Sequence, residues 1–462
     1  MWQAPAIQAV LATKRLTFRH IPTARNARVP LVLVQLRTDS YHGAMETEIN
    51  EGSAPKGLTR RQLAEAAGIV TAAWSVGQAT GLSAQETDQP PVDASGKVIP
   101  GFEETQAGLG REKVWQPFSD RKLRVGIAGY GLCKFGAAFG FQNHPNVEVV
   151  AVADLIPARR SELAQACRCE QTYPSCEEMI EDDNIEAVFI ATDAPSHARL
   201  AISALRRGKH VASAVPAVFG SLEDADRLFE AVKESGMKYM MFETSYYHDT
   251  LYAWHQRYHA GELGKIIYSE GEYYHYFGTP LGGYNPKTSK VDTEGWRNGL
   301  PPQWYPTHSN AYYIGVTGGS FTEVSCMGTP SSVPHLQAKN NAYKNPFGSE
   351  IALFRTSDGG MSRMAVCWDL PTAGGEQGRV YGQTNTKPVV NTVRPPLPPG
   401  VSAGGHGGSH GHLTSEFVDA ILRDRKPWVD VAQALNMTVA GIVAHQSALR
   451  DGELMKIPQY VL

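Results

Sequence analysis

The side chains of this chain best suited to chemistry on a polar substrate are histidines set beside tyrosines and glycines. The run Tyr305-Pro306-Thr307-His308 places a phenol three residues ahead of an imidazole. An imidazole exchanges a proton near neutral pH, so His308 reads as a general base for oxidising a carbinol. The other reading is a core histidine bonded to a backbone carbonyl. Tyr305 either hydrogen-bonds a substrate or packs in the core. A glycine-rich run at 404–412 carries His406, His410 and His412. Their spacing invites a metal, but no carboxylate falls inside the run, and a substrate-lining loop is the better reading. Tyr246, Tyr247 and His248 fall where a second domain begins, the place for a cleft. Cys167, Cys169 and Cys176 lack both a CxxC pair and a histidine at ligand spacing. They read as buried free thiols, and no metal is expected.

These groups need a scaffold, and the middle of the chain spells one out. The apolar strand Leu123–Ala128 runs into Gly129-Tyr130-Gly131 and then a helical pattern at 132–142. Strand, glycine turn and helix in that order mark a dinucleotide site. Gly129 permits the tight turn, and Gly131 lets backbone N–H groups approach a pyrophosphate at the helix N-terminus. Lys134 stands where the third glycine belongs, with Gly136 two residues later, which puts the helix–strand packing in question. The strand Val147–Ala153 ends in Asp154, whose carboxylate can accept both ribose hydroxyls and repel a 2′-phosphate. NAD is therefore favoured, with NADP open because Arg159 and Arg160 follow; capping of a helix near Pro157 is the plainer role for Asp154. Strands at 187–192, 210–214 and 238–243 alternate with helices at 195–207 and Leu222–Ser235, completing a doubly wound parallel sheet near Thr244. Thr192 and His197, after the fourth strand, belong to the cofactor loop.

Composition excludes little but narrows the partners. A net charge of −3 on 462 residues gives no sign of a nucleic-acid partner. The 19 Tyr and 8 Trp suit carbohydrate binding and equally a large mixed core. Arg60-Arg61 stand ahead of a weakly apolar run at 63–82 that is too short and polar to span a membrane. This pattern reads as a twin-arginine export signal, placing the protein in the periplasm, with Ser83-Ala84-Gln85 as a cleavage site. An amphipathic helix with two surface arginines is the alternative, and the protein is then cytoplasmic. The basic stretch before Met45 reads as an over-extended start. The expected division is 1–58 disordered or untranslated, 59–84 signal, 85–120 linker, 121–244 dinucleotide domain, and 245–462 substrate and oligomerisation domain.

From residue 122 onward the chain resembles the Gfo/Idh/MocA family of sugar oxidoreductases. The likeness rests on VGIAGYG at 125–131, ATDAPSH at 191–197, GKHV at 208–211 and FETSYY at 242–247, in that order. It implies an α/β fold, with an N-terminal Rossmann doubly wound parallel sheet and a C-terminal α/β domain on an open mixed sheet. It also implies hydride transfer between NAD(P) and a sugar, glycoside or cyclic polyol, and a homo-oligomer joined through the sheet face. The rest of the chain fits: a strand at 265–276, a hairpin about Asp358-Gly359-Gly360, and helices at 413–423 and 431–449. In typical members the fifth strand ends in Glu-Lys-Pro, its lysine beside the nicotinamide. Here the positions are Ala214-Val215-Pro216, so Val215 and Pro216 face the cofactor and the usual acid–base lysine is absent. The customary Asp four residues before His308 is Trp304. Val-Pro-Ala at 215–217, Tyr-Pro-Thr-His at 305–308 and Gly-His-Gly-Gly at 405–408 instead resemble the family's NAD-dependent glycoside hydrolase branch, although Ala214 replaces its glutamate. That branch oxidises the sugar, expels the aglycone, adds water and reduces again. The resemblance makes Tyr305, His308, Tyr247 and His406 the site groups. Loss of the lysine leaves a third reading open, a non-catalytic sugar- and NAD-binding protein.

Overall fold

The computed structural model describes residues 114–462, apart from 281–282, 286–287, 289, 293, 373 and 385–393. The readings of 1–58, of the export signal at 59–84 and of the linker as far as 113 lie outside the described residues. At the linker's end, Trp115 meets the edge of the His144 ring at 6.3 Å.

Six short strands form the first sheet: β1 (Leu123–Ala128), β2 (Val147–Ala153), β3 (Thr172–Tyr173), β4 (Ala187–Ile190), β5 (His210–Ser213) and β6 (Tyr239–Met241). All pairs are parallel, in the order β3-β2-β1-β4-β5-β6. Between them run α1 (Phe135–Ala138), α2 (Pro157–Cys167), α3 (Cys176–Ile180), α4 (His197–Arg206) and α5 (Leu222–Ser235). Strands covered on both faces must be apolar throughout, and β4 is buried at every position. The strand order reverses between β1 and β4, which opens a crevice at their C-terminal ends.

The helix expected at 132–142 is the main correction. Only α1 is helical, four residues long, and a 3₁₀ turn at Phe141–Asn143 follows. Lys134 and Gly140 both take left-handed backbone conformations and bracket the helix. Phe139 and Phe141 both turn into the core, against Phe189 and Phe242, a demand that one continuous helix face does not meet. Gly136 restores the close packing that the displaced motif put in question. A Cβ there would stand 2.4 Å from the Gly129 carbonyl oxygen.

After α6 (Asp249–His259) comes the second sheet, built from β7 (Ile266–Tyr274), β10 (Phe321–Pro330), β11 (Phe347–Thr356), β12 (Met361–Cys367), β13 (Gly375–Gly382) and β14 (Met455–Lys456). A small ribbon of β8 (Gly283–Asn285) and β9 (Lys290–Asp292) stands apart from it. The large sheet runs β13-β7-β12-β11-β10-β14 and is mixed, with β7 and β12 parallel. One face is covered by α7 (Thr307–Thr317) and α9 (Val431–Ala448), both almost wholly buried. The other face exposes Ile267, Met327, Ile351, Leu353, Met361 and Tyr381.

The end of the chain returns to the first sheet. The Met241 N–H of β6 donates to the Val429 carbonyl (3.1 Å). From α8 (His410–Leu422), the Thr414 hydroxyl donates to the Phe139 carbonyl (2.7 Å). The Tyr460 hydroxyl donates to Asp226 (2.8 Å), and its ring meets Phe229 on α5.

Candidate active site

A cavity open to solvent lies over the C-terminal ends of β1, β2 and β4. Its walls include Gly129, Gly131, Asp154, Arg159 and Thr192 from the Rossmann half, and Trp296 and Arg297 from the second half. The space over Gly131 is open, with nothing within 4 Å of an added Cβ, as a ligand approaching the turn requires. Asp154 fixes the turn: its two carboxylate oxygens accept the Tyr130 N–H (2.7 Å) and the Ile156 N–H (2.8 Å). Among the described residues the buried Thr192 hydroxyl has no partner, a donor and acceptor left for a bound molecule. These features fit a dinucleotide. His197 lies behind the cavity, where its Nδ1–H donates to the Pro216 carbonyl (2.9 Å); Val215 is buried beside it.

Arg297 is a cation without a carboxylate partner among the described residues. It lies 4.2 Å over the Trp296 ring, with Cys133 Sγ 3.9 Å away. From Trp296 an aromatic wall leads inward, through Tyr305 stacked at 6.5 Å and Tyr273 at 6.0 Å from Tyr305, to the His308 ring, 4.5 Å from Tyr273.

His308 sits in the first turn of α7 because two glycines let that helix press onto the sheet. A Cβ at Gly271 of β7 would lie 2.1 Å from the Ser309 carbonyl, and one at Gly378 of β13 would lie 2.1 Å from the Tyr312 ring. At the point of contact His308 meets two carboxylates. Its Nδ1–H donates to Glu243 Oε1 (2.7 Å), just past β6, and Glu376 Oε1 of β13 stands 3.7 Å away. The Ser245 N–H donates to Glu243 (3.0 Å), and its hydroxyl donates to Glu376 Oε2 (2.6 Å). Burial alone would push the imidazole down. The two carboxylates outweigh it and hold the ring up at about 9, while His308 in turn keeps the buried Glu243 carboxyl low. At neutral pH the resting imidazole therefore carries its proton. Burial raises the Tyr305 phenol well above its ordinary range, so it acts as a hydrogen-bonding hydroxyl.

The remaining sequence-derived site groups lie around this cluster in different roles. His406 Nδ1 and His410 Nε2 are hydrogen-bonded to each other (2.9 Å), and the Phe135 ring of α1 packs against both. His412 stacks on Tyr247 at 5.2 Å, so the three loop histidines do not converge. Tyr247 is buried, and its carbonyl accepts from Arg394 (2.8 Å). Burial raises the Cys167 thiol to about 12 and the Cys176 thiol further, which leaves both inert. Glu243, Glu376, Trp296 and Arg297 were not singled out from sequence. Glu243 had one usable signal, a carboxylate at the end of the last parallel strand.

Comparison with known proteins bears on the first half directly. Residues 123–243 match the Gfo/Idh/MocA oxidoreductase family, described as an NAD-binding Rossmann fold. Over that segment the chain is similar to the family's NAD-binding Rossmann domain. Among curated relatives, glycosyl hydrolase family 109 protein 1 of Bacteroides fragilis is 28% identical over 194 residues, 40% of each chain. An alpha-N-acetylgalactosaminidase of Shewanella oneidensis is 24% identical over 298 residues, 61% of each chain. The chain thus matches about two fifths of the length of the first of these. Two solved structures share the fold over both halves. Levoglucosan dehydrogenase in complex with NADH is 18% identical with a TM-score of 0.60, over 74% of this chain and all (100%) of that one. Scyllo-inositol dehydrogenase from Lactobacillus casei, with NAD(H) and scyllo-inositol bound, is 16% identical with a TM-score of 0.57, over 73% and 99%.

Proposed function

We propose that this protein is an NAD-dependent oxidoreductase acting on a secondary alcohol of a sugar, glycoside or cyclic polyol. One observation carries the reading: an aromatic wall joins a dinucleotide-shaped cavity to a buried imidazole held by two carboxylates. NAD bound against Gly129, Gly131 and Asp154 supplies the hydride acceptor. The protein's own residues do the rest. Trp296 and Tyr305 offer stacking faces to a sugar ring. In its neutral form, with Nδ1–H held by Glu243, His308 takes the proton of the reacting hydroxyl on Nε2, and Glu243 and Glu376 stabilise the imidazolium that forms.

A closed cycle of oxidation, aglycone loss and reduction is the second reading, favoured by the Tyr305-Pro306-Thr307-His308 run and by relatives named as glycosyl hydrolases. A non-catalytic sugar- and NAD-binding protein is the third. Mass spectrometry of the cofactor that copurifies, followed by a panel of glycosides and polyols, separates the three. Net oxidation accumulates NADH. A closed cycle releases aglycone without net NADH and exchanges the sugar C2 hydrogen with solvent. Bound NAD with neither outcome leaves only the binding protein.

Two further points belong to the same proposal. Export by the twin-arginine route rests on Arg60-Arg61; unchanged fractionation after both become lysine would remove it. Homo-oligomer formation rests on the apolar outer face of the second sheet.

A further inference from the structure

Two carboxylates converge on one nitrogen at the inner end of the aromatic wall. Glu243 Oε1 lies 2.7 Å and Glu376 Oε1 3.7 Å from His308 Nδ1. That nitrogen has a single hydrogen to give. The bond to Glu243 uses it, so Glu376 Oε1 faces an atom with nothing further to offer. Two more polar atoms beside them lack a partner: Oε2 of Glu243, a residue with no exposed surface, and Nε2 of His248. His248 Nε2 stands 3.4 Å from Glu376 Oε2 without an aligned hydrogen bond. Buried polar atoms are rarely left this way, and several together at one point indicate a missing partner.

One ligand atom from each of Glu243, His308 and Glu376 lies within 4.8 Å of the other two. We propose that these three residues bind one divalent transition-metal ion of the zinc or manganese type. The ion displaces the proton from His308 Nδ1, gives Glu376 Oε1 a partner there, and balances the two carboxylates. Mixed imidazole and carboxylate donors suit such an ion, whereas magnesium and calcium prefer oxygen sets. The sequence hides the set, because its members come from the end of β6, the start of α7 and the edge strand β13. An ion there polarises an oxygen of a bound substrate. That use rests on the oxidoreductase reading; the binding of the ion does not.

The test uses the full chain, stripped with a chelator and titrated calorimetrically with zinc chloride and with manganese chloride. Metal retained after desalting is counted by plasma mass spectrometry. One ion per chain is expected. Glu376→Gln and Glu243→Gln should each weaken its binding by more than the ~10–100-fold that even outer-shell changes cost. NAD titration of the same variants, expected unchanged, confirms that they are folded. Anomalous diffraction at the zinc edge from the unaltered protein locates the ion without any variant. Absence of a bound ion, undiminished affinity in Glu376→Gln, or an ion placed at the His406–His410 pair overturns the proposal. If no ion binds while NADH still forms with a sugar, the metal site falls and the oxidoreductase reading stands. If the ion binds and no hydride moves, the reverse holds.

Discussion

His308 stands where three elements meet, and its neighbours set what a substitution there should do. His308→Ala removes the one group that both carboxylates address, whether they act on a proton or on a cation. Turnover is expected to fall by roughly 10²–10⁴-fold, the range for a positioned acid–base group, with NAD affinity nearly unchanged because Gly129, Gly131 and Asp154 lie in the other half. Full turnover in that variant would remove His308 from the site. Asp154 carries a second prediction. Its carboxylate is fixed by two backbone N–H groups at the cavity wall, so its charge cannot swing away from a 2′-phosphate. NAD should bind more tightly than NADP by ~1–3 kcal/mol, read by titrating both cofactors; equal affinity would show that Arg159 offsets it. At this scale the sequence was half legible. His308 and Tyr305 stood out because imidazole and phenol are conspicuous in a short motif. Glu376 did not, since nothing in Gly374-Gly375-Glu376 says that an edge strand will carry it to an imidazole on α7.

The elements were legible wherever burial imposes one period. Continuous apolar runs such as Ala187–Ile190 fix the parallel strands, and Leu222–Ser235 shows its amphipathic face between a Ser221 cap and Gly236. β13 was not visible, because Gly375, Gly378 and Gly382 interrupt any alternation. The helix after the glycine turn was overestimated because Phe135 and Phe139 stand four apart, as on a helix face, whereas the chain turns at left-handed Gly140 to bring Phe141 inward as well. Gly136, packed on the glycine turn, gives the element-scale prediction. Gly136→Ala sets a methyl group against the Gly129 carbonyl and the Leu163 side chain. Overpacking of this kind costs about 1–3 kcal/mol. Denaturant unfolding should register that loss, and NAD affinity should fall with it because the turn is pushed outward. An unaltered midpoint would mean that α1 shifts freely.

Across the whole molecule, buried histidines set the response to acid. Burial lowers His144, His210, His410 and His412 each to about 4. Their unfolded values lie near 6.5, so between these limits the unfolded chain binds more protons than the folded one. Stability is intact above about pH 6.5 and falls as the pH drops toward 4. Calorimetry across that window should record a falling Tm with proton uptake on unfolding, and a flat Tm would show that these rings open to water without unfolding.

The return of the chain's end to the first sheet governs the order in which the molecule can be finished. Synthesis proceeds from the amino end, so β1 through β6 emerge from the ribosome as a contiguous block. That block is not self-sufficient. The edge of β6 waits for Val429, the carbonyls of Ala138 and Phe139 wait for His410 and Thr414, and α5 waits for Tyr460. The nucleotide-binding half is therefore begun first and completed late. Its edges close only after residues 410–460 have been made, when the second sheet is already present.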